Sequence, residues 1–80
     1  RRCDMKTIRI GKGDTIPTMD GYIEIKRYNG SGLYWCDRYE IDGDGNETLI
    51  EEDAGYTMTD FQRYYKESTG ESTRFIIDLD

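Results

Sequence analysis

The chain predicts a small α+β domain: a mostly antiparallel sheet of four or five strands with one helix packed on one face, in the order β-β-β-β-α-β. Three observations carry this. Apolar and polar residues alternate with period two over residues 21–28 and 33–41, the mark of strands with one buried face. One stretch, residues 56–68, switches to helical spacing, with Phe61, Tyr64 and Tyr65 at i, i+3 and i+4. Short runs rich in Gly, Asn and Asp punctuate the chain between these segments.

Residues 5–10 place Ile8 and Ile10 on one side and Thr7 and Arg9 on the other, which makes a first strand. Residues 11–20 read as a connection broken by Gly11, Gly13, Asp14, Pro17 and Asp20, where proline blocks regular strand pairing. Gly11-Lys12-Gly13-Asp14-Thr15 lacks the spacing of a phosphate-binding loop and precedes no helix, so it is a turn. The organising hairpin follows. Its first strand turns Ile23 and Ile25 inward and Tyr22, Glu24, Lys26 and Tyr28 outward. Its second turns Leu33, Trp35, Tyr39 and Ile41 inward, interrupted by Asp37, and sets Tyr34, Cys36, Arg38 and Glu40 outward. Asn29 opens the loop between them, and Gly30 and Gly32 supply positive φ. Asp42-Gly43-Asp44-Gly45-Asn46 is a second tight reversal, and residues 48–50 return as a short strand. Thr57 is the expected helix N-cap with Asp60 in the third helical position and Tyr56 set to touch Phe61; Thr59 with Gln62 is the competing cap. Asp60 and Lys66 suit the helix dipole, and Gly70 is the stop. Phe75, Ile77 and Leu79 alternate inward over residues 74–80, a final strand.

Eighty residues make one domain, 1–80, that buries only about 60% of its extended-chain surface, too little for a deep cleft. Its formal charge of −6 disfavours double-stranded nucleic acid and anionic membrane. No apolar run approaches the roughly 20 residues of a membrane span, and no secretory signal is visible. The strand pattern begins directly at Met5, so residues 1–4 are expected to stand outside the domain, added or disordered. Cys3 and Cys36 could pair once, but two cysteines are no framework. Reduced thiols and a cytoplasmic setting are the expectation.

The absence of His removes the commonest base and metal ligand. Cys36 could serve a small enzyme only if a cation such as Arg38, on its expected face, lowered its pKa. Asp42, Asp44, Asn46, Thr48 and Asp53 approximate calcium-loop spacing, but Glu47 stands where that loop needs Gly and the flanks read as strands. No cofactor and no metal are expected, and no catalysis.

Charge distribution gives the functional expectation. Residues 1–39 hold eight basic and five acidic side chains; residues 40–53 hold Glu40, Asp42, Asp44, Glu47, Glu51, Glu52 and Asp53 and no base. Such a segment repels itself, and is explained by complementarity to a basic protein partner. The reading is therefore a non-enzymatic binding module, in its extreme form an inhibitor whose carboxylates mimic nucleic-acid phosphates. The alternative is peptide or single-strand binding on an outer face formed by Tyr22, Tyr28 and Tyr34 with Lys26 and Arg38. The same rings could instead be buried across a two-fold in a homodimer.

Overall fold

The computed structural model describes residues 5–79. The expectations for residues 1–4, for a Cys3–Cys36 pair and for Asp80 lie outside those residues. The elements are β1 (Lys6–Ile10), β2 (Thr15–Pro17), β3 (Gly21–Tyr28), β4 (Tyr34–Ile41), β5 (Glu47–Tyr56), α1 (Met58–Thr69) and β6 (Thr73–Ile77). Strands β2, β3, β4 and β5 form an antiparallel sheet in that spatial order, and β1 pairs with β6 as a separate parallel ribbon. The α+β class and the single helix are thus as the sequence reads.

Helix α1 starts where its cap dictates. The Asp60 N–H donates to Thr57 Oγ1 at 3.2 Å while the Thr57 N–H donates to Asp60 Oδ2 at 3.0 Å, which satisfies two of the amides a helix start leaves unpaired. The Tyr56 and Phe61 ring centroids lie 6.2 Å apart across that start. At the other end Gly70 adopts φ 81 and donates to the Lys66 carbonyl at 2.7 Å. The helix then buries Phe61, Tyr64 and Tyr65 toward one core with Ile10, Ile16, Ile23, Ile25, Cys36, Tyr56 and Phe75. That core occupies one side of the four-stranded sheet, roofed by α1 and the β1–β6 ribbon. With a shortest extent of 17 Å, the described residues form one covering layer only, and among them nothing packs on the opposite, open sheet face.

Four expectations are corrected. The connection 11–20 contains β2, because Ile16 drops to 0% exposure opposite Ile23; Pro17 is tolerated as the last residue of an edge strand. Strand β5 runs ten residues, not three, because it accommodates two irregularities against β4, one between the Arg38 and Tyr39 pairings and one between Cys36 and Arg38. The last strand pairs in parallel with the first, away from the main sheet.

The fourth correction is the largest: the phase of β4 is reversed. Counting back from the Asn29–Gly32 loop, an unbroken ladder would set Ile25 opposite Asp37. An extra residue in β3 between Ile25 and Arg27 sets Ile25 opposite Cys36 instead. One inserted residue moves every side chain beyond it to the other face. Cys36 and Arg38 therefore point under the helix, and Trp35, Asp37 and Tyr39 point to the open side.

Candidate functional site

Every residue from Glu40 to Asp53 is exposed, and burial resumes at Ala54. The β4–β5 hairpin therefore leaves the body as an arm with both of its faces in water. The arm is made by its turn. Asp42 accepts from the Asp44 N–H at 2.9 Å and the Asn46 N–H at 3.0 Å, and Gly45 takes φ 86. Asp42 and Asn46 also close the ladder through Asp42 N to Asn46 O at 3.0 Å. The Asn46 and Asp44 amides hold the Asp42 carboxyl below the usual carboxylate range. A carboxylate held this way is a turn device, and the flanks are strands, as the sequence reads. Among the described residues no group of three or more His, Cys, Asp or Glu could hold a metal ion.

At the root, Gly21 lies so close to β4 that a Cβ would overlap the Tyr39 carbonyl, with Glu40 Cα at 3.0 Å. The Ile41 N–H donates to the Asp20 carbonyl at 2.7 Å. This close backbone approach fixes where the arm departs.

The seven carboxylates divide between faces and duties. Pairing of Ile41 with Glu47 and of Tyr39 with Leu49 puts these four on the open side. Glu47 accepts the Tyr22 hydroxyl at 2.6 Å, and that bond, with burial and charge, pushes the phenol up to about 12. Glu51 sits on the helix side and accepts the Tyr56 hydroxyl. Asp53 adopts φ 53 in the second irregularity, donates its N–H to Asp37 Oδ1 at 3.0 Å, and receives Lys26 Nζ at 2.9 Å and Arg27 Nη1 at 3.3 Å. The Lys26 bond leads in holding its carboxyl low. Glu40, Asp44 and Glu52 complete the set. The bulge explains this corner: it turns the adjacent Lys26 and Arg27 to the same side, where both reach Asp53.

The proposed aromatic platform is not one surface. Tyr22 lies on the open side, stacked on Tyr39 at 4.9 Å, and Lys26 shares that side. Tyr34 packs on Phe61 at 5.5 Å and on Tyr28 at 4.6 Å. Arg38 donates to Tyr64 Oη at 3.1 Å and meets Asp20 at 3.6 Å. Tyr34 and Arg38 are under the helix and Tyr28 runs with them, so the five residues expected to share a face are split by the bulge. Cys36 is likewise corrected: it is fully buried, and burial, with Asp37, pushes its thiol up to about 12. Arg38 is engaged elsewhere, so it does not activate the Cys36 thiol.

A cavity of about 590 Å³ between the ends of β3 and β6 is lined by Lys12, Lys26, Arg27, Tyr28, Tyr34 and Leu79 among others. Its Lys26 and Arg27 are already paired with Asp53, which offsets the charge an anion would need. What sequence reasoning missed is the open-face row made by Tyr22, Tyr39 and Leu49. The adjacent bases Lys26-Arg27, out of phase with the alternation on either side, were the available sign of the bulge.

Among the described residues no helix is long and apolar enough to cross a membrane. No protein-family model, curated protein or solved structure matches the chain.

Proposed function

We propose that the protein is a non-enzymatic binding module that engages a basic protein partner through the arm 40–53. One observation carries the reading: fourteen consecutive exposed residues hold seven carboxylates and no base. In a compact 80-residue chain such an arm adds no core, and its like charges repel one another. An outward acidic hairpin is instead suited to steering and orienting a cationic surface. The arm also exposes Ile41 (39%), Leu49 (44%) and Ile50 (44%), so it offers apolar contact as well as charge, the mixture of a protein interface.

The test is affinity capture from source-cell lysate with the wild-type chain and with Asp44→Lys/Glu52→Lys, two residues whose side chains make neither the turn bonds nor the Tyr56 contact. The expected partner is retained at low salt, released at high salt, and lost with the double reversal. Retention of the same proteins by the reversal variant, once circular dichroism shows it folded, overturns the proposal.

A further inference from the structure

The open sheet face carries an apolar row that crosses all four strands. Cα pairing runs Pro17 to Tyr22, Tyr22 to Tyr39 and Tyr39 to Leu49. Residues paired directly in an antiparallel sheet share a face, so these side chains stand side by side over about 14 Å of sheet width. The Tyr22 and Tyr39 rings are stacked at the centre of the row.

The rows on either side each carry an acid. Two residues along β3 and β4 stand Glu24 and Asp37, which are paired with each other. On the opposite side of the apolar row, two residues back along β5, stands Glu47 beside Ile41. Because β3 and β5 run in the same direction, Glu24 and Glu47 flank the tyrosine stack from opposite sides. Along the strand direction β4 presents Asp37, Tyr39 and Ile41 in steps of about 7 Å, with Glu24 one strand to one side on β3 and Glu47 one strand to the other on β5. A segment laid over β4 therefore has an acid within a side chain's sideways reach at either end.

We propose that this face takes an extended segment of the basic partner with the pattern base-x-apolar-x-base, laid along the strands. Alternate residues of an extended chain are also about 7 Å apart, so the two periods coincide. The apolar side chain rests on Tyr22, Tyr39 and Leu49. One flanking base meets Glu47 and the other meets Glu24, since Asp37 already holds Lys26 at 3.4 Å. Arginine fits better than lysine, because its planar guanidinium both pairs with a carboxylate and lies against a tyrosine ring. The inference rests on the arm reading above and deepens it: it selects one face of the arm and one kind of segment. Glu40 and Glu51, on the helix side, take no part.

The test uses fluorescently labelled synthetic peptides. One carries Arg-Thr-Leu-Thr-Arg, a second replaces its Leu with Ser, and a third keeps the composition but places the two Arg residues together. Anisotropy titration should show the first binding at least about tenfold more tightly than the second, since burying much of a leucine side chain is worth roughly one tenfold step. Leu49→Ser should erase that preference, Glu24→Lys should erase the preference for the spaced arginines, and Glu67→Lys, at an exposed position on α1, should leave both unchanged. Equal, salt-sensitive binding of all three peptides overturns this inference while leaving the acidic arm as the binding element. Binding of none, or a dimer by sedimentation that Leu49→Ser dissociates, also overturns it, the second because the row is then filled by another copy. Lysate capture judges the arm reading separately.

Discussion

Replacing Gly21 by Ala should detach the arm from its root. A Cβ at this position would overlap the Tyr39 carbonyl oxygen and sit 2.9 Å from the carbonyl carbon and 3.0 Å from Glu40 Cα. These are backbone atoms of the neighbouring strand, so no side chain can rotate away. Strands β3 and β4 must part at the Gly21–Glu40 pairing, and the bond from Ile41 N–H to the Asp20 carbonyl goes with it. Overpacking costs about 1–3 kcal/mol and each lost ladder bond about 0.5–1.5 kcal/mol, so the expected loss is about 2–4 kcal/mol. An 80-residue chain has a total stability of only about 4–12 kcal/mol, so this is a large share of it. Urea unfolding monitored at Trp35 measures the loss, and amide exchange locates it. Residues 39–49 should lose protection first while α1 keeps its own. A variant within about 0.5 kcal/mol of wild type, or one whose helix and arm melt together, would show that the close approach at Gly21 does not anchor the arm.

Four further outcomes follow from the same structure. Phe61→Ala, at a fully buried site between Tyr34 and Tyr56, should lose about 3–5 kcal/mol in denaturant titration, and less than about 1 kcal/mol would contradict the core described. Thr57→Ala should lose about 1 kcal/mol by removing the cap, while Thr59→Ala should be near neutral; equal effects would return the cap to dispute. Native Cys36 should resist alkylation at neutral pH and react only after unfolding, because burial pushes its thiol up to about 12; rapid native labelling refutes its placement. Tyr22, Tyr56 and Cys36 all have folded-state values raised to about 12. The unfolded chain therefore loses these protons first. Their stabilisation is complete below the unfolded values and is lost as pH rises through the folded ones, so the urea midpoint should fall between neutral pH and about pH 11. An unchanged midpoint refutes the linkage.

Local chemistry was legible in the sequence, and register was not. Thr57, Asp60 and Gly70 announce the helix ends because a cap is decided by a few adjacent side chains. Asn29, Gly30 and Gly32 announce the hairpin loop for the same reason: the Asn29 carboxamide accepts the Ser31 and Leu33 amides at 2.7 and 3.2 Å. The face of β4 depends on a bulge whose effect is non-local. Both of its faces carry aromatic residues, Trp35 and Tyr39 on one and Tyr34 on the other, so hydrophobicity alone did not decide between them. The extent of β5 was hidden by its acidic composition, which suits strands poorly, and the strand is held instead by pairing with β4. Parallel pairing of the two ends of the chain is a topological fact that no short pattern encodes. For the candidate site, the acidic run was visible as composition, while the row Tyr22–Tyr39–Leu49 needed the register that the bulge sets.

The two irregularities in β5 have a consequence for life at high concentration. Its outer edge is the one long edge of the main sheet, and a bare edge invites neighbouring molecules to stack onto it as fibrils. Here the template is broken within three residues at Ile50 and again at Asp53, whose left-handed backbone turns the strand aside. No uninterrupted run of the six or so residues that seed a cross-β stack is left along the arm. Straightening that edge, for instance by deleting Ile50 and Asp53 together, should make the chain nucleate aggregates that the parent does not, visible as thioflavin fluorescence in shaken samples.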